Sequence, residues 1–177
     1  TAELIEFVAA SRRFMPHFHI PLQCGDDEVL ALMRRRYCTE LFRHKVDLIR
    51  RTIPHAFIGV DLIVGARGET DERFASSRSF VESLDISHLH VFAYSERPGT
   101  RALQIEHVVS QQEKHRRSSV MTALSAGKHR AFAERFLGTV RPVLLEHSHH
   151  GHPLGGFTDN YLRVEPRLRQ FNSDDAS

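Results

Sequence analysis

The sequence predicts an α/β fold, a parallel sheet with helices between its strands, followed by a small all-β part. Three observations predict it. Phe57–Thr70, FIGVDLIVGARGET, opens as an apolar, β-branched run from Phe57 to Val64 with one carboxylate, Asp61, inside it. It then breaks into a loop with Gly65 and Gly68 and enters a helix at Thr70. Such a run, ended by a glycine loop and a helix, marks a buried parallel strand in a βα unit. Two more extended stretches, Phe14–Gln23 and His88–Tyr94, flank it with helical patterns between, in βαβ units of roughly 30 residues. After Gly138 the texture changes. Val140–Glu146 and Phe157–Val164 read as two strands around a His- and Gly-rich turn, with no helix between them.

Taken in order, Ala2–Ala10 carries Leu4, Ile5 and Val8 at helical spacing. Phe14–Gln23 alternates, with Phe18, Ile20 and Leu22 on one side and His17 and His19 on the other, as a strand requires. Gly25 breaks it, and Asp26 or Asp27 caps a short helix with Val29, Leu30, Met33 and Tyr37 at helical intervals. Thr39 is the expected cap of the next helix, whose apolar stripe is Phe42, Val46, Ile49 and Ile53, and Pro54 stops it. Thr70 caps the helix after the glycine loop, with Asp71 and Glu72 in its first turn, where the helix dipole favours negative charge. Phe74, Val81 and Leu84 share one face of that helix. Beyond the third strand, Ser95–Thr100 (SERPGT) is a tight bend. Ser110–Phe136 reads as one long polar helix with a sparse stripe of Val120, Met121, Leu124, Phe132 and Phe136. The tail from Gln170 is too polar to pack and is expected to be disordered.

Composition narrows the classes. The 177 residues, 41% hydrophobic, suit one ordinary domain with a small appendage. A formal charge of +2, a pI of about 8.7 and thirteen histidines lean basic, which allows nucleic acid without demanding it. Cys24 and Cys38 are too few for a disulfide scaffold and are not at zinc spacing, so a reduced, cytoplasmic protein is expected. No apolar run approaches the roughly 20 residues of a membrane helix, and no membrane partner is expected. The chain begins at Thr1 directly in a helical pattern, which suggests a fragment.

Ligands of parallel sheets and barrels sit at the carboxyl ends of strands, so the Gly65–Glu69 loop lies where chemistry is normally done. As a phosphate loop it is weak, lacking both GxGxxG spacing and the lysine of GxxxxGK[ST]. Strand alternation puts His19, Asp61 and His90 on faces opposite the most aliphatic ones. Two readings stay open: a cofactor chamber, or buried polar groups that hydrogen-bond one another. His17 and His19 form an HxH that could ligate zinc in a hydrolase, though no convincing further ligands accompany it. His147, His149, His150 and His152 read as a solvated surface turn.

The stretches PHFHIPLQCGDDEVLALMRRRY, DLIVGARGET, LHVFAYSERPGT and GFTDNYLRV occur in the order and spacing of one family. They resemble the radical S-adenosylmethionine methylthiotransferases over nearly all of Phe14–Val164. HFHIPLQ, GARGET and YSERPGT look most like the threonylcarbamoyladenosine tRNA enzymes. The isopentenyladenosine tRNA and ribosomal-protein enzymes are the relatives to exclude. The resemblance implies the C-terminal half of an open, TIM-like radical-SAM βα barrel over residues 1–137. A partial, all-β, TRAM-like RNA-binding module over 138–170 and a disordered tail over 171–177 would follow. It implies methylthio transfer to C2 of N6-threonylcarbamoyladenosine 3′ of the anticodon, with S-adenosylmethionine and two [4Fe–4S] clusters, the tRNA anticodon stem-loop being the partner.

Such clusters hang on cysteine thiolates, three of them in a CxxxCxxC that this chain lacks. The cluster ligands are therefore expected upstream, no metal site or catalytic residue is expected in this chain, and the chain alone is expected to be inactive. By motif, Gly65, Gly68 and Glu69 would run past the adenosyl group, the glycines letting backbone approach it. Gln23 would bond its ribose or methionine part, and His90, Phe92 and Tyr94 would flank the adenine. Asp61 belongs to the same chamber. Arg35, in the family's MxRxY, either pairs with the cofactor carboxylate or is a surface arginine. Ala66 and Arg67 replace the usual Phe-Pro, which leaves that loop's shape open. In the tail, Arg141, Phe157, Asn160, Tyr161 and Arg163 would contact RNA by stacking and phosphate neutralisation, or, for the aromatics, fill a small core. The helix adds Arg130 within a basic run of Lys114, Arg116, Arg117, Lys128 and Arg135. A stand-alone, non-catalytic RNA-binding module is the reading of a different class. A half-barrel leaves strand edges unpaired, so self-association is expected.

Overall fold

The computed structural model describes residues 1–146 and 155–165. The expectations for His147, His149, His150 and His152 and for the tail from Gln170 lie outside the described residues. In chain order the elements are α1 (Ala2–Ala10), β1 (His17–Gln23), α2 (Asp27–Leu32), α3 (Thr39–Thr52), β2 (Phe57–Val64), α4 (Asp71–Ser83) and β3 (His88–Ala93). A single 3-10 turn (Arg101–Gln104) leads to α5 (Gln111–Glu134), then β4 (Val143–Glu146), β5 (Gly155–Thr158) and β6 (Arg163–Val164). The strands β1-β2-β3 form a parallel sheet in that order, and β4-β5-β6 a separate antiparallel one.

One face of the parallel sheet carries Ile58, Val60, Leu62 and Val64 of β2 with Leu22 and Leu89 of its neighbours, all buried. Ile5, Phe42, Val46, Ile49, Phe74, Val81 and Met121 close over it from α1, α3, α4 and α5. Each of these large aliphatic side chains contributes on the order of 2 kcal/mol by leaving water. The apolar stripes legible in the sequence are therefore the ones that make this core. The opposite, inner face has no helix laid across it among the described residues, and it carries the histidines.

Four local expectations change. The first strand begins at His17 instead of Phe14, and Phe14 and Met15 stay exposed. Thr39 is the first residue of α3, not its cap. Cys38 holds that position without a side-chain bond, and the Asp27 carboxylate of the preceding helix accepts from the Thr39 backbone N–H at 2.7 Å and hydroxyl at 3.2 Å. A carboxylate from a neighbouring element does the work of a local cap. Phe157–Val164 is not one strand. Asp159–Asn160–Tyr161 turns it, with Tyr161 at φ 66°, and the Thr158 hydroxyl bonds Asn160 and accepts from the Leu162 N–H. Asp and Asn favour such turns because their side chains bond groups a residue or two away, as Asn160 Oδ1 does here in accepting from the Thr158 hydroxyl.

The basic run on α5 is the fourth. Its buried stripe is Lys114, Arg117, Met121, Ser125 and Phe132, so polar groups occupy positions that a core helix normally fills with carbon. Lys114 donates to Tyr94 O at 3.0 Å, Lys128 to Glu82 O and Leu84 O, and Arg135 makes a double hydrogen bond to Asp85. Arg116 and Arg117 both bind Glu113, which holds its carboxyl down to about 2. Within the run Lys114, Arg117 and Lys128 are the means by which a polar helix packs, while Arg116, Arg130 and Arg135 stay exposed. Ser125 then sets β3 against α5, accepting from Leu89 N–H at 2.8 Å and bonding Leu89 O and His88 Nδ1.

The small sheet docks at the amino ends of the parallel strands. Leu162 packs with Phe57, Phe132, Ala133 and Phe136, and Asn160 donates to His55 O at 3.3 Å. Arg141 makes a two-pronged bond to Asp159 and lies 4.9 Å from the Phe136 ring centre.

Candidate functional site

Because the three strands are parallel, their carboxyl ends open side by side. At the end of β1, Gln23 has φ 69° and the Cys24 N–H donates to Leu22 O at 2.9 Å, a three-residue turn that a non-glycine residue adopts only under strain. Tyr37 holds it, its hydroxyl lying 3.1 Å from Pro21 O and 2.9 Å from Leu22 O. Burial pushes the Tyr37 phenol up, keeping it the donor. The turn presents the Gln23 amide outward, where Arg35 donates to it at 2.9 Å. Arg35 is exposed, so the sequence pair MxRxY places a guanidinium directly at the strand end.

At the end of β2 the loop is pinned from inside. Glu69 is 1% exposed; its Oε2 accepts from Gly65 N–H at 2.6 Å and from Arg117 at 2.8 Å. Burial pushes its carboxyl up against the pull of Arg117, and its Oε1 has no partner among the described residues. Arg67 reaches Glu96 at 2.7 Å and the carbonyls of Leu103 and Ile105, tying the loop to the bend after β3. Arg73 bonds Gly68 O and pairs with Glu28. Gly65 and Gly68 have φ 75° and 84°, and a Cβ on them would strike Lys114 Cγ and Leu32 Cδ1. Their lack of side chain therefore serves packing against protein. Glu69 likewise faces inward.

At the end of β3 the Tyr94 N–H donates to Val64 O and its carbonyl accepts from Lys114. A cavity of about 420 Å³ lies here, lined by Ile63, Phe92, Tyr94, Arg97 and Thr100 among others. Phe92 is 53% exposed, a large apolar ring presented to the cavity side. On the inner face below it, His19 Nε2 and Asp61 Oδ1 are 2.6 Å apart and His19 stacks on His90 at 4.8 Å, 11° from coplanar. Asp61 and His90 do converge on His19, the first by a hydrogen bond and the second by stacking. Pairing explains why: Asp61 sits opposite Pro21 on one side and His90 on the other, while Gly59, between His19 and His88, leaves space for the rings.

The other proposed RNA residues separate into two sets. Asn160 is fully buried and Arg141 is spent on Asp159, so both hold the small sheet in place. Phe157, Tyr161 and Arg163 remain at the surface together, Phe157 stacked on Tyr161 at 5.0 Å and Arg163 5.9 Å from the Phe157 ring centre. Arg130 is exposed on α5. Reasoning from sequence read Lys114 and Arg117 only as members of a basic run and passed over Arg97 and His129. Only the Ser110 cap, which fixes the phase of α5, offered a signal for the first two.

Two histidines carry a pH consequence. Burial, then the neighbouring imidazoles His19 and His90, holds His17 below its ordinary 6.5; burial, then His90 and His129, does the same for His88. The folded chain thus binds fewer protons than the unfolded one below that pH. The stability these groups allow is whole above about pH 6.5 and declines as pH falls through the folded values. Thermal midpoints are expected to be level from neutral pH upward and to drop below it, with a shallower drop in a His17→Gln, His88→Gln double variant. A profile that the double variant leaves unchanged removes these residues as the cause.

No family model matches the chain. The threonylcarbamoyladenosine tRNA methylthiotransferase MtaB of Bacillus subtilis is 34% identical over 168 residues, 93% of this chain. The enzymes of that name from Thermotoga maritima and Rickettsia prowazekii are each 33% identical, over 97% and 92% of it. The chain is homologous to part of these methylthiotransferases. It spans only 37 to 40% of their length. A solved structure, coproporphyrinogen III oxidase (HemN) from Escherichia coli, a radical SAM enzyme, superposes with a TM-score of 0.59 at 23% identity, over 72% of this chain and 30% of its own. The chain thus shares the fold of part of that enzyme.

Two groups expected from that homology test differently. The chain's cysteines do not fit a [4Fe–4S] cluster: Cys24 is fully buried, with its thiol pushed up to about 12 by burial, and Cys38 lies exposed on another element. Among the described residues no three His, Cys, Asp or Glu side chains gather to hold a metal, so the zinc reading of His17 and His19 lacks its further ligands. At the strand ends the groups suited to S-adenosylmethionine are separate: an amide and a guanidinium after β1, and an exposed aromatic ring on β3. No helix among the described residues is long and apolar enough to cross a membrane.

Proposed function

We propose that this chain is a portion of a cytoplasmic tRNA-modifying enzyme that adds a methylthio group to C2 of N6-threonylcarbamoyladenosine 3′ of the anticodon by radical S-adenosylmethionine chemistry. The observation that carries it is the 34% identity to an enzyme of that name over 93% of the chain. The chain's own residues support the part assigned to it. Gln23, held outward by the Tyr37-braced turn, and Arg35 would bind the polar end of the cofactor. Phe92 and Ile63 would lie against its adenine, and the Tyr94 backbone beside it would be kept in register by Lys114. When bound and reduced at a cluster, that cofactor supplies an adenosyl radical. Asp61, through His19, would keep His90 oriented toward the same chamber.

In this reading residues 1–137 are the C-terminal part of an open βα barrel and 138–170 a TRAM-like RNA-binding module. Cluster ligation then belongs to the remainder of the protein, and the chain by itself is inactive. The unpaired outer edges of β1 and β3 favour self-association of the isolated chain.

Nucleoside mass spectrometry on tRNA from a strain deleted for the intact gene tests the proposal. The 2-methylthio form of N6-threonylcarbamoyladenosine is expected to disappear and to return with a plasmid copy. Its retention in the deletion strain, with loss of the methylthio-isopentenyl nucleoside instead, would move the chain to the neighbouring subclass.

A further inference from the structure

A small cavity of about 280 Å³ is sunk into the inner face of the parallel sheet, where α5 and the small sheet meet it. Five imidazoles ring it, those of His17, His19, His88, His90 and His129, with the Tyr161 phenol beside them. Alternation accounts for four of these. His17 and His19 lie two apart on β1 and His88 and His90 two apart on β3, so each pair shares a face. On β2 between them stands Gly59, opposite His19 on one side and His88 on the other, with no side chain to fill the space.

The rings touch one another and little else that is polar. His19 stacks on His90 at 4.8 Å, and His88 lies edge-on to His90 at 4.7 Å and to His129 at 5.9 Å. Each ring has two nitrogens, but only His19 Nε2, on Asp61, and His88 Nδ1, 3.1 Å from Ser125 Oγ, have a hydrogen-bond partner among the described residues. Those two bonds hold their rings in place. The other nitrogens, His88 Nε2 among them, are left for what enters the cavity.

Charge narrows what that is. Burial and the neighbouring imidazoles hold His17 and His88 below the ordinary 6.5, so both rings are mostly neutral at pH 7. Few formal charges face them. Asp61 of β2 is bonded to His19, Arg163 of the small sheet lies 3.6 Å from Glu146, and Arg130 of α5 is exposed. A carboxylate among the rings favours the imidazolium form of one of them and draws in a proton. A hydrocarbon group meets uncharged ring faces there. The cluster is thus a cation only when an anion is present. Size narrows it further. The space is just below the roughly 300 Å³ at which small-molecule sites begin, so it takes a side group and not a whole nucleoside. His88 and His90 also line the larger cavity that follows β3 to Phe92. Phe92 is two residues from His90 and four from His88, roughly 7 and 13 Å along the strand. An N6 side group several bonds long spans that interval from a base held at Phe92.

We propose that this imidazole pocket receives the carboxylate of the threonylcarbamoyl group, with His88 and His90 as its donors, and so separates an adenosine with an acidic N6 group from one with a hydrocarbon. The proposal rests on the tRNA reading above and names the residues that set its substrate subclass.

Proton NMR of the histidine ring C–H signals in the 177-residue chain tests it. N6-threonylcarbamoyladenosine, its methyl ester, N6-isopentenyladenosine and adenosine 5′-monophosphate are titrated in turn. The acid is expected to bind about 10-fold more tightly than its ester near pH 7, as one charge-assisted bond allows, and to raise the pH at which His88 and His90 titrate. Its affinity should grow as pH falls from about 7.5 to about 6.5, because the bound form holds the extra proton. Affinity for the ester stays level, and the isopentenyl nucleoside leaves the ring titrations unchanged. His44, exposed on α3, is the unmoved reference. His88→Gln and His90→Gln should each bring the acid to within about 3-fold of the ester. Equal affinity for acid and ester, a comparison that needs no variant, overturns the proposal. So does a monophosphate that moves the same rings as strongly, since the pocket is then a phosphate subsite, or acid selectivity that both variants leave intact. The nucleoside assay on the deletion strain reports separately. Loss of the methylthio-isopentenyl nucleoside there removes the substrate reading, while acid-selective binding still supports the pocket. Loss of the methylthio-threonylcarbamoyl nucleoside without acid selectivity keeps the substrate and removes the pocket.

Discussion

Arg117→Met is expected to destabilise the chain by about 3–5 kcal/mol, the range for removing one partner of a buried ion pair. In a chain of this length that is a fall of roughly 10 °C in thermal midpoint. The guanidinium is 2% exposed and touches three carboxylates: Glu69 at 2.8 Å, Asp71 at 2.7 Å and Glu113 at 2.8 Å. These are not equal. Asp71 is 78% exposed and solvent screens it, so that pair adds little. Glu69 is 1% exposed, and without Arg117 its carboxylate would be left with Gly65 N–H alone. The cost is chiefly that stranded charge, so Arg117→Met combined with Glu69→Gln is expected to recover a good part of it. Arg117 also donates to Glu69 O and lies 5.0 Å from the Phe74 ring centre, contacts the double variant does not restore. Denaturant unfolding of the single and double variants measures both. A single variant within about 1 kcal/mol of the parent would mean that the network contributes no more than a surface pair does.

Gly65→Ala is expected to cost about 3 kcal/mol and to disturb the mouth beyond that loss. Two penalties add. A non-glycine residue at φ 75° is strained by on the order of 1 kcal/mol or more. The new methyl would overlap the Cγ of Lys114, near the base of a side chain that is itself buried, so the overlap is relieved only by moving Lys114. Lys114 holds Tyr94 O, and its displacement loosens the end of β3 from that of β2. A Lys114→Ala, Gly65→Ala pair relieves the clash and leaves the backbone strain, which separates the two terms. Hydrogen exchange at Tyr94 N–H, which donates to Val64 O, reads the loosening directly. Protection there equal to the parent's, with a stability loss under about 1 kcal/mol, would show that the loop accommodates a side chain by another route.

Both sites bear on how far the sequence could be read. The limits of β2, Phe57–Val64, and the start of α4 at Thr70 follow from a run of β-branched carbon, a glycine and a hydroxyl cap, all local signals. The stripe Phe42, Val46, Ile49, Ile53 needs nothing beyond helical period and became core as expected. Alternation placed His19, Asp61 and His90 on one face before any coordinates, and the hydrogen bond between the first two is what that placement permits. The failures share a cause. Lys114 and Arg117 were charges on a polar helix, and nothing near them in sequence says that Glu69 and the Tyr94 carbonyl wait across the fold. Thr39 looked like a cap because its true capping partner, Asp27, belongs to another helix. The turn at Asp159–Tyr161 carried its own Asp-Asn signal, which the reading of Phe157–Val164 as one strand missed.

By itself, then, the sequence determined which segments are strands and helices, the shared direction of the three parallel strands, and a likeness whose motifs lie at strand ends. Period, caps and glycine placement act over a few residues, and a chain carries them wherever it folds. Tertiary structure alone decided which charges are buried, that Gly65 and Gly68 give way to Lys114 and Leu32, and that the small sheet docks at the end away from the mouth. Those outcomes depend on what lies opposite each side chain across the core, where the low dielectric makes a partner strongly favourable and its absence costly.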